Sequence, residues 1–348
     1  MSPTDVTLPG VYIEEDANLS LSITTNLTAV PVFACGDRVT ASFARFDSWS
    51  SYSRNSGGAQ EDSTLHAAIR AYFENGGGYC YLVPTSKLLE EVPLLADATL
   101  LVAAGQDIRT AASKLCTEES GLFAILDGPE AAITSADLEK YDANSQAAVY
   151  YPWLKADWAK VNIPPSAALA GVYCGVDRSR GVWKTPANVP LRGGLTPLHA
   201  VSDSEQAQYQ EGKAVNMIRQ FSGAGVVVWG ARTLSAANVN WRYVPVRRLF
   251  NSAQRDIARA LSVAIFEPNT QPTWERVKGA IENYLHNMWQ QGALQGAKLE
   301  EAFFVQVGKG TTMTDDDISQ GRMIVKVGMA AVRPAEFIIM QFTQNMEA

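Results

Sequence analysis

Few residues in this chain have the type and spacing for chemistry. His66, His199 and His286 lie far apart, and none stands at a metal-ligand spacing from a second ligand. Cys35, Cys80, Cys116 and Cys174 form no Cys-x-x-Cys pair and sit in apolar or strand-like surroundings. They read as reduced, buried thiols, and close pairs for a zinc site are absent. Gly308-Lys309-Gly310-Thr311 has the look of a phosphate loop but fails the pattern, because Lys309 is followed by Gly and residue 303 is Phe. Gly76-Gly77-Gly78 and Gly223-Ala224-Gly225 match no dinucleotide fingerprint. Asp315-Asp316-Asp317 suggests a cation site. Thr314 followed three residues later by Asp317 explains the same acids as a helix cap at the positive end of the dipole. No Gly-x-Ser-x-Gly elbow is present. Convergent catalytic groups are missing, so no cofactor is implied.

One constellation remains. Arg248, Arg255 and Arg259 are spaced seven and four apart on a helical pattern. At about 100° per residue they fall in one stripe, with Leu249, Ala253, Ile257, Ala260 and Ala264 roughly opposite. The spacing predicts a helix that packs on its apolar side and presents guanidinium groups outward. Two readings stand: a solvated basic face, or docking to an acidic partner surface, since arginine forks suit carboxylates.

The elements that would position these groups follow from patterning. The chain has 348 residues and is 47% hydrophobic, enough for two domains with real cores. Its net charge of −7 leaves no global basic footprint for nucleic acid. No run reaches the roughly 18 apolar residues of a membrane span. The N-terminus lacks the basic and apolar regions of a signal peptide, which predicts synthesis in, and no conventional export from, a cytosol. Strands are expected over 30–35, 79–83, 99–103, 122–126 and 147–151. Helices are expected over 64–73, 107–116, 134–141 and from Pro164-Pro165 through Cys174. This alternation predicts an α/β layered fold with parallel pairing. A composition change places a domain transition near residue 200. Beyond it, strands are expected at 226–229, 241–244, 302–307 and 323–332, and helices at 245–266, 273–291 and 314–320.

The two ends of the chain stand apart. Residues 1–24 are polar, apart from Leu8 to Glu15, where Val11 and Ile13 alternate with Tyr12 and Glu14 as in a short strand. At the other end, Phe337, Ile338, Ile339, Met340 and Phe342 form a strand pattern that is apolar on both faces. Such a strand is an aggregation hazard when unpaired. Either it closes its own sheet or it adds to a sheet in another copy. Pro334 separates it from the preceding run and donates nothing to a ladder.

Several segments together resemble contractile-tail sheath proteins, of the compact kind found in phage-tail-like extracellular injection particles of the anti-feeding-prophage and virulence-cassette type. They are Pro9-Gly-Val-Tyr12, Gly76 to Val83, Arg180-Gly-Val-Trp-Lys-Thr-Pro-Ala-Asn188, Val228-Trp-Gly-Ala-Arg-Thr233, Asn240 to Asn251, Phe266-Glu-Pro-Asn269 with Trp274, and Val332-Arg-Pro-Ala-Glu-Phe-Ile-Ile339. The chain departs from larger phage sheaths in leaving no room for extra decorating domains. The resemblance implies a two-domain tail-sheath fold: an N-terminal arm (1–24), an outer α/β domain (25–200), an inner tube-facing α/β domain (201–332) and a C-terminal arm (333–348). It implies that the arms exchange β-strands between subunits through Val11, Tyr12, Ile13 and Phe337, Ile338, Ile339, Met340, Phe342, with Pro334 as a hinge. It further implies hexameric rings stacked helically around an inner tube, in a tail-like particle assembled in the bacterial cytoplasm and active after release. The expected partners are other copies of the chain, an inner tube protein, baseplate and tail-end cap proteins, with sheath paralogues as a further candidate. Neither nucleic-acid binding nor membrane insertion is implied. On this view the stripe Arg248, Arg255 and Arg259 faces the tube. The competing expectations are an α/β nucleotide-binding enzyme and a monomeric binding module whose terminal strand closes its own sheet.

Overall fold

The computed structural model describes residues 22–37, 40, 42–55 and 63–336. Strand β1 (Pro31–Cys35) is buried along its whole length. Its alternate side chains enter two different cores: Phe33 and Cys35 on one face, Val32 and Ala34 on the other. That double burial explains the continuous apolar run, since a parallel strand covered on both faces has no solvent side. Around β1 the sheet is built from β2 (Ala44–Phe46), β3 (Cys80–Pro84), β4 (Leu100–Val102), β5 (Phe123–Asp127) and β6 (Ala147–Tyr151). β8 (Val189–Pro190), β10 (Val215–Phe221) and β11 (Gly225–Trp229) complete nine strands in the order β2-β3-β1-β4-β5-β6-β10-β11-β8. From β3 through β10 the pairing is parallel, and β2, β11 and β8 pair antiparallel at the edges. β7 (Leu154–Lys155) and β9 (Thr196–Pro197) form a small separate pair.

Helix α1 (Trp49–Asn55), α2 (Thr64–Glu74) and α6 (Pro165–Arg180) lie with the core that holds Phe33, Tyr72, Leu169 and Tyr173. α3 (Leu88–Glu91), α4 (Arg109–Leu115), α5 (Ser135–Leu138) and α7 (Asp203–Gln208) lie with the opposite core of Val32, Leu101, Leu126 and Met217. The result is the expected α/β layering with helices on both faces. α2 starts where Ser63 accepts from the amide of His66 and stops at Asn75-Gly76, where Gly76 takes φ +103°. α2 and α6 approach closely at Gly171, where a side chain would strike the backbone of Tyr72.

A third core gathers α8 (Val244–Leu261), α9 (Gln271–Gln290), α10 (Leu299–Ala302), β12 (Phe303–Gln306) and β13 (Lys326–Met329) around Leu249, Val277, Ile281, Leu285 and Val305. α11 (Asp315–Ser319) precedes β13 and carries the expected capping box between Thr314 and Asp317. The three acids are therefore explained by a helix start. The carboxyl of Asp317 is held at about 2, first by the backbone amide of Thr314 and then by the Thr314 hydroxyl and Arg322.

Three expectations are corrected. The division near residue 200 falls inside the nine-stranded sheet, which continues to Trp229 through β10 and β11. β10 escapes a composition reading because its buried Val215, Asn216, Met217 and Ile218 give way to half-exposed Arg219 and exposed Gln220 at the turn. The Gly223-Ala224-Gly225 segment is that hairpin's turn, with Gly223 and Gly225 at positive φ. Residues 241–244 are no strand. Val239–Trp241 makes a 3₁₀ turn, Tyr243 makes one isolated bridge to Arg232, and α8 begins at Val244. Finally, α6 runs six residues beyond Cys174 to Arg180, its polar last turns held where Asp177 pairs with Arg248.

Candidate assembly interface

Residues 22–28 lead into β1 along α8. Asn26 donates its backbone amide and its side-chain amide to the same carboxylate oxygen of Asp256, at 3.3 and 2.8 Å. Asp256 also accepts from the Tyr284 hydroxyl at 2.9 Å, which ties α9 into the same cluster. The hydroxyl of Thr28 donates to Asp177. Arg248 makes a forked pair with Asp177, at 3.0 and 2.6 Å, and donates to the Thr28 carbonyl at 3.1 Å. Its guanidinium lies 4.6 Å from the Tyr173 ring centre. The side chains of Arg248 and Asp177 are 3% and 5% exposed. Burial by itself would lower the Arg248 pKa; the charge and hydrogen bonds of Asp177 outweigh it and carry the group above its usual range.

This corrects the outward stripe. The helix and its angular arithmetic are right, but Arg248 is internal and Arg255 is half-buried, donating to the Ala98 carbonyl at 3.1 Å. Burial lowers the Arg255 pKa. Only Arg259 of the three is exposed, and it donates to Asn26. On the side of α8 opposite Leu249 and Ala253, Arg248 meets α6 and the incoming N-terminal segment, and only its C-terminal end at Arg259 opens to water. A helical wheel gives directions but not neighbours. Arg248 and Arg259 therefore hold Thr28 and Asn26 against α8, and Arg255 ties the helix to Ala98. Val11, Tyr12 and Ile13 lie outside the described residues.

Residues 332–336 line an open groove of about 1330 Å³, shared with Trp183, Gln210, Trp229 and Arg232. Arg333 donates to Asn240 at 2.9 Å, and Glu336 pairs with Arg232 at 2.7 Å. Pro334 sits between these two attachments. Phe337, Ile338, Ile339, Met340 and Phe342 lie outside the described residues.

The two-stranded sheet β12–β13 pairs antiparallel from Phe303↔Met329 to Gln306↔Lys326. Among the described residues neither strand has a further strand on its outer side. Phe304 is 52% exposed, and its ring covers Gly328, where a side chain would collide with it. An isolated two-stranded sheet is marginal in water, and unpaired edges recruit strands. Both strands are written in the local pattern; that they form a two-stranded sheet among the described residues is not.

The residues first weighed for chemistry are dispersed. His66 packs edge-on to Trp49, His199 stacks on Tyr151, and His286 lies beside Trp289. The four cysteines are free and buried, with burial raising each thiol pKa. Lys309 pairs with Asp315. Among the described residues no cluster of His, Cys, Asp or Glu could hold a metal ion, and no helix is long and apolar enough to cross a membrane.

Comparison with known proteins completes the assignment. A model of the phage tail sheath central domain matches residues 97–234, and one of the phage tail sheath C-terminal domain matches residues 236–345. The chain is 57% identical to a chain in the solved PVC sheath complex of an extracellular contractile injection system, in its contracted state. The TM-score is 0.92, over 98% of this chain and 99% of that one. It is 46% identical to a chain in the anti-feeding prophage baseplate in its contracted state, with a TM-score of 0.89 over 97% and 99% of the two chains. It is also 28% identical over 127 residues to the tail sheath protein of Enterobacteria phage T4. That match covers 35% of this chain and 19% of the phage protein, so it spans about a fifth of that curated relative. With these two family models covering residues 97–234 and 236–345 and a fold shared with these sheath structures over nearly the whole chain, the chain belongs to the tail sheath family of contractile injection systems, whose members are structural subunits and not enzymes.

Proposed function

We propose that the chain polymerises as helically stacked hexameric rings around an inner tube, and that contraction of this sheath drives the tube through a target envelope. Such stacking uses unlike surfaces on neighbouring copies and does not close, so it extends into a tube. In this reading the N-terminal strand pattern around Val11 to Ile13 and the C-terminal pattern from Phe337 to Phe342 add to the β12–β13 sheet of neighbouring subunits. The observation that carries it is that sheet: two strands with no further strand beside them among the described residues, and an exposed Phe304. Adding a strand would supply ladder hydrogen bonds, each worth roughly 0.5–1.5 kcal/mol net. The sheet domain from about residue 236 would face the tube, and the nine-stranded domain would form the outer wall. Baseplate, cap and tube proteins are the further partners, and the particle acts outside the cell that assembled it. The enzyme and monomeric-module alternatives lose their footing with the family membership.

Electron microscopy of the full chain beside a version ending at Glu336 tests this. Ordered tubes from the full chain and dispersed particles from the shortened one are expected. Tubes of equal length and order from both would remove C-terminal strand addition from the reading.

A further inference from the structure

The segment Trp229-Gly230-Ala231-Arg232 connects the edge of the main sheet to the place where the C-terminal arm leaves. Arg232 is 8% exposed, although it carries a full charge. Its Nε and Nη2 form a fork on the Glu336 carboxylate, at 2.9 Å to one oxygen and 3.1 and 2.7 Å to the other. Its remaining Nη1 donates to the Gln210 carbonyl. The Tyr243 hydroxyl, at the start of α8, donates to the same Glu336 at 3.0 Å. The backbone of Arg232 is fixed as firmly as its side chain. Asn216 on β10 accepts from the Arg232 amide at 2.7 Å and donates to the Arg232 carbonyl at 2.8 Å. The same amide group of Asn216 donates to Val149 on β6 at 3.1 Å. Gly230 permits this approach, because a side chain there would meet Asn216.

We infer that Arg232, Tyr243 and Glu336 form a clasp that anchors the C-terminal arm to the main sheet. The inference rests on the reading that this arm links neighbouring subunits. Tension on the arm then enters the subunit at Glu336 and passes through Arg232 and Asn216 into β10 and β6. The clasp and the Arg333–Asn240 bond hold Pro334 from both sides, so Pro334 does not serve as a free hinge while the clasp is closed. A forked guanidinium–carboxylate pair suits this role, because two parallel bonds fix direction where a lysine's point charge fixes only distance. Arg232 and Tyr243 are positioning residues for strand addition, and neither need touch the neighbour.

The test uses full-length chain and reads two quantities. Hydrogen–deuterium exchange on dispersed subunits reports the amides of residues 332–336, and sedimentation reports the concentration needed for tubes. Glu336→Gln keeps the shape and removes the charge. We expect exchange at 332–336 to rise about tenfold or more, since hydrogen bonds to charged groups are the stronger ones, with assembly shifted to higher concentration by a similar factor. Arg232→Lys should do the same, and Tyr243→Phe should do so to a smaller degree. Exchange within β4 and β5 should not change, which separates a loosened arm from a damaged fold. Wild-type exchange in Glu336→Gln would overturn the clasp. Faster exchange with unchanged assembly would overturn its anchoring role. The chain ending at Glu336 keeps the two failures apart: it retains the exchange readout even if removal of residues 337–348 leaves tubes intact, a result that counts against strand addition alone.

Discussion

Replacing Arg248 by Met separates an external stripe from an internal fastening. On a solvated helix face the change would cost about 0.5 kcal/mol or less. In the folded chain it removes two hydrogen bonds to Asp177 and one to the Thr28 carbonyl, and it leaves a carboxylate that is 5% exposed with the Thr28 hydroxyl as its remaining donor. Stranding one partner of a buried ion pair costs about 3–5 kcal/mol. For a chain of this size that corresponds to a fall in melting temperature on the order of 10 °C. Urea unfolding of dispersed subunits, below the concentration at which tubes form, measures it directly. The double change Arg248→Met with Asp177→Leu removes both charges and should recover most of the loss, since apolar replacement of a whole buried pair is often neutral. Arg248→Met within about 0.5 kcal/mol of wild type, together with weakened association to the tube, would refute the internal assignment and restore the outward stripe.

Four further outcomes follow from the geometry. Asp127 lies at the end of β5, where burial raises its carboxyl to about 6 against the lowering effect of bonds from Ser166 and Gly105. Its folded pKa exceeds the unfolded value, so the folded state holds the proton more tightly, and stability falls as pH rises from about 4 to about 6 by at most about 3 kcal/mol. Urea titrations across that window should show the slope, and Asp127→Asn should flatten it. Gly171→Ala forces a methyl group against the Tyr72 backbone at the α2–α6 contact, with an expected loss of about 1–3 kcal/mol in the same unfolding assay. Phe304→Ser removes an exposed ring from β12 and should leave subunit stability within about 0.5 kcal/mol while raising the concentration needed for tubes. The four thiols, buried with raised pKa values, should resist a thiol reagent in native subunits and react together on unfolding in denaturant.

Much of the nine-stranded sheet is legible from pattern. Ala147–Tyr151 is the predicted strand to the residue, and β1, β3 and β5 shift by a residue or two at their ends. Runs such as Val32 to Cys35 are apolar throughout because both faces of the strand are covered, and that property is local to the sequence. α9 was legible for the same kind of reason: Val277, Ile281, Leu285 and Met288 repeat at helical spacing and are all buried. The family resemblance was equally local, carried by runs such as Asn240 to Asn251. Those runs also contain Arg232's neighbours and Arg248 without saying what either one touches.

Pairing across long separations was beyond any such reading. Arg248 meets Asp177 seventy-one residues away, Arg232 meets Glu336 one hundred and four residues away, and Asn26 meets Asp256 two hundred and thirty residues away. Each is a charged or polar group whose sequence environment looks like solvent-facing surface. Pattern alone therefore turns the arginines of α8 outward and ends α6 at Cys174, before the turn that carries Asp177. The sheet's extent through β10 and β11 was hidden likewise, because a hairpin at a sheet edge is half polar and looks like a boundary. Hydrophobic periodicity is written residue by residue, since it follows from which face of an element leaves water. The partner of a buried charge is set only when distant elements close on it, and here that closure turned Arg248 and Arg232, apparent surface charges, into internal fastenings of Thr28 and Glu336.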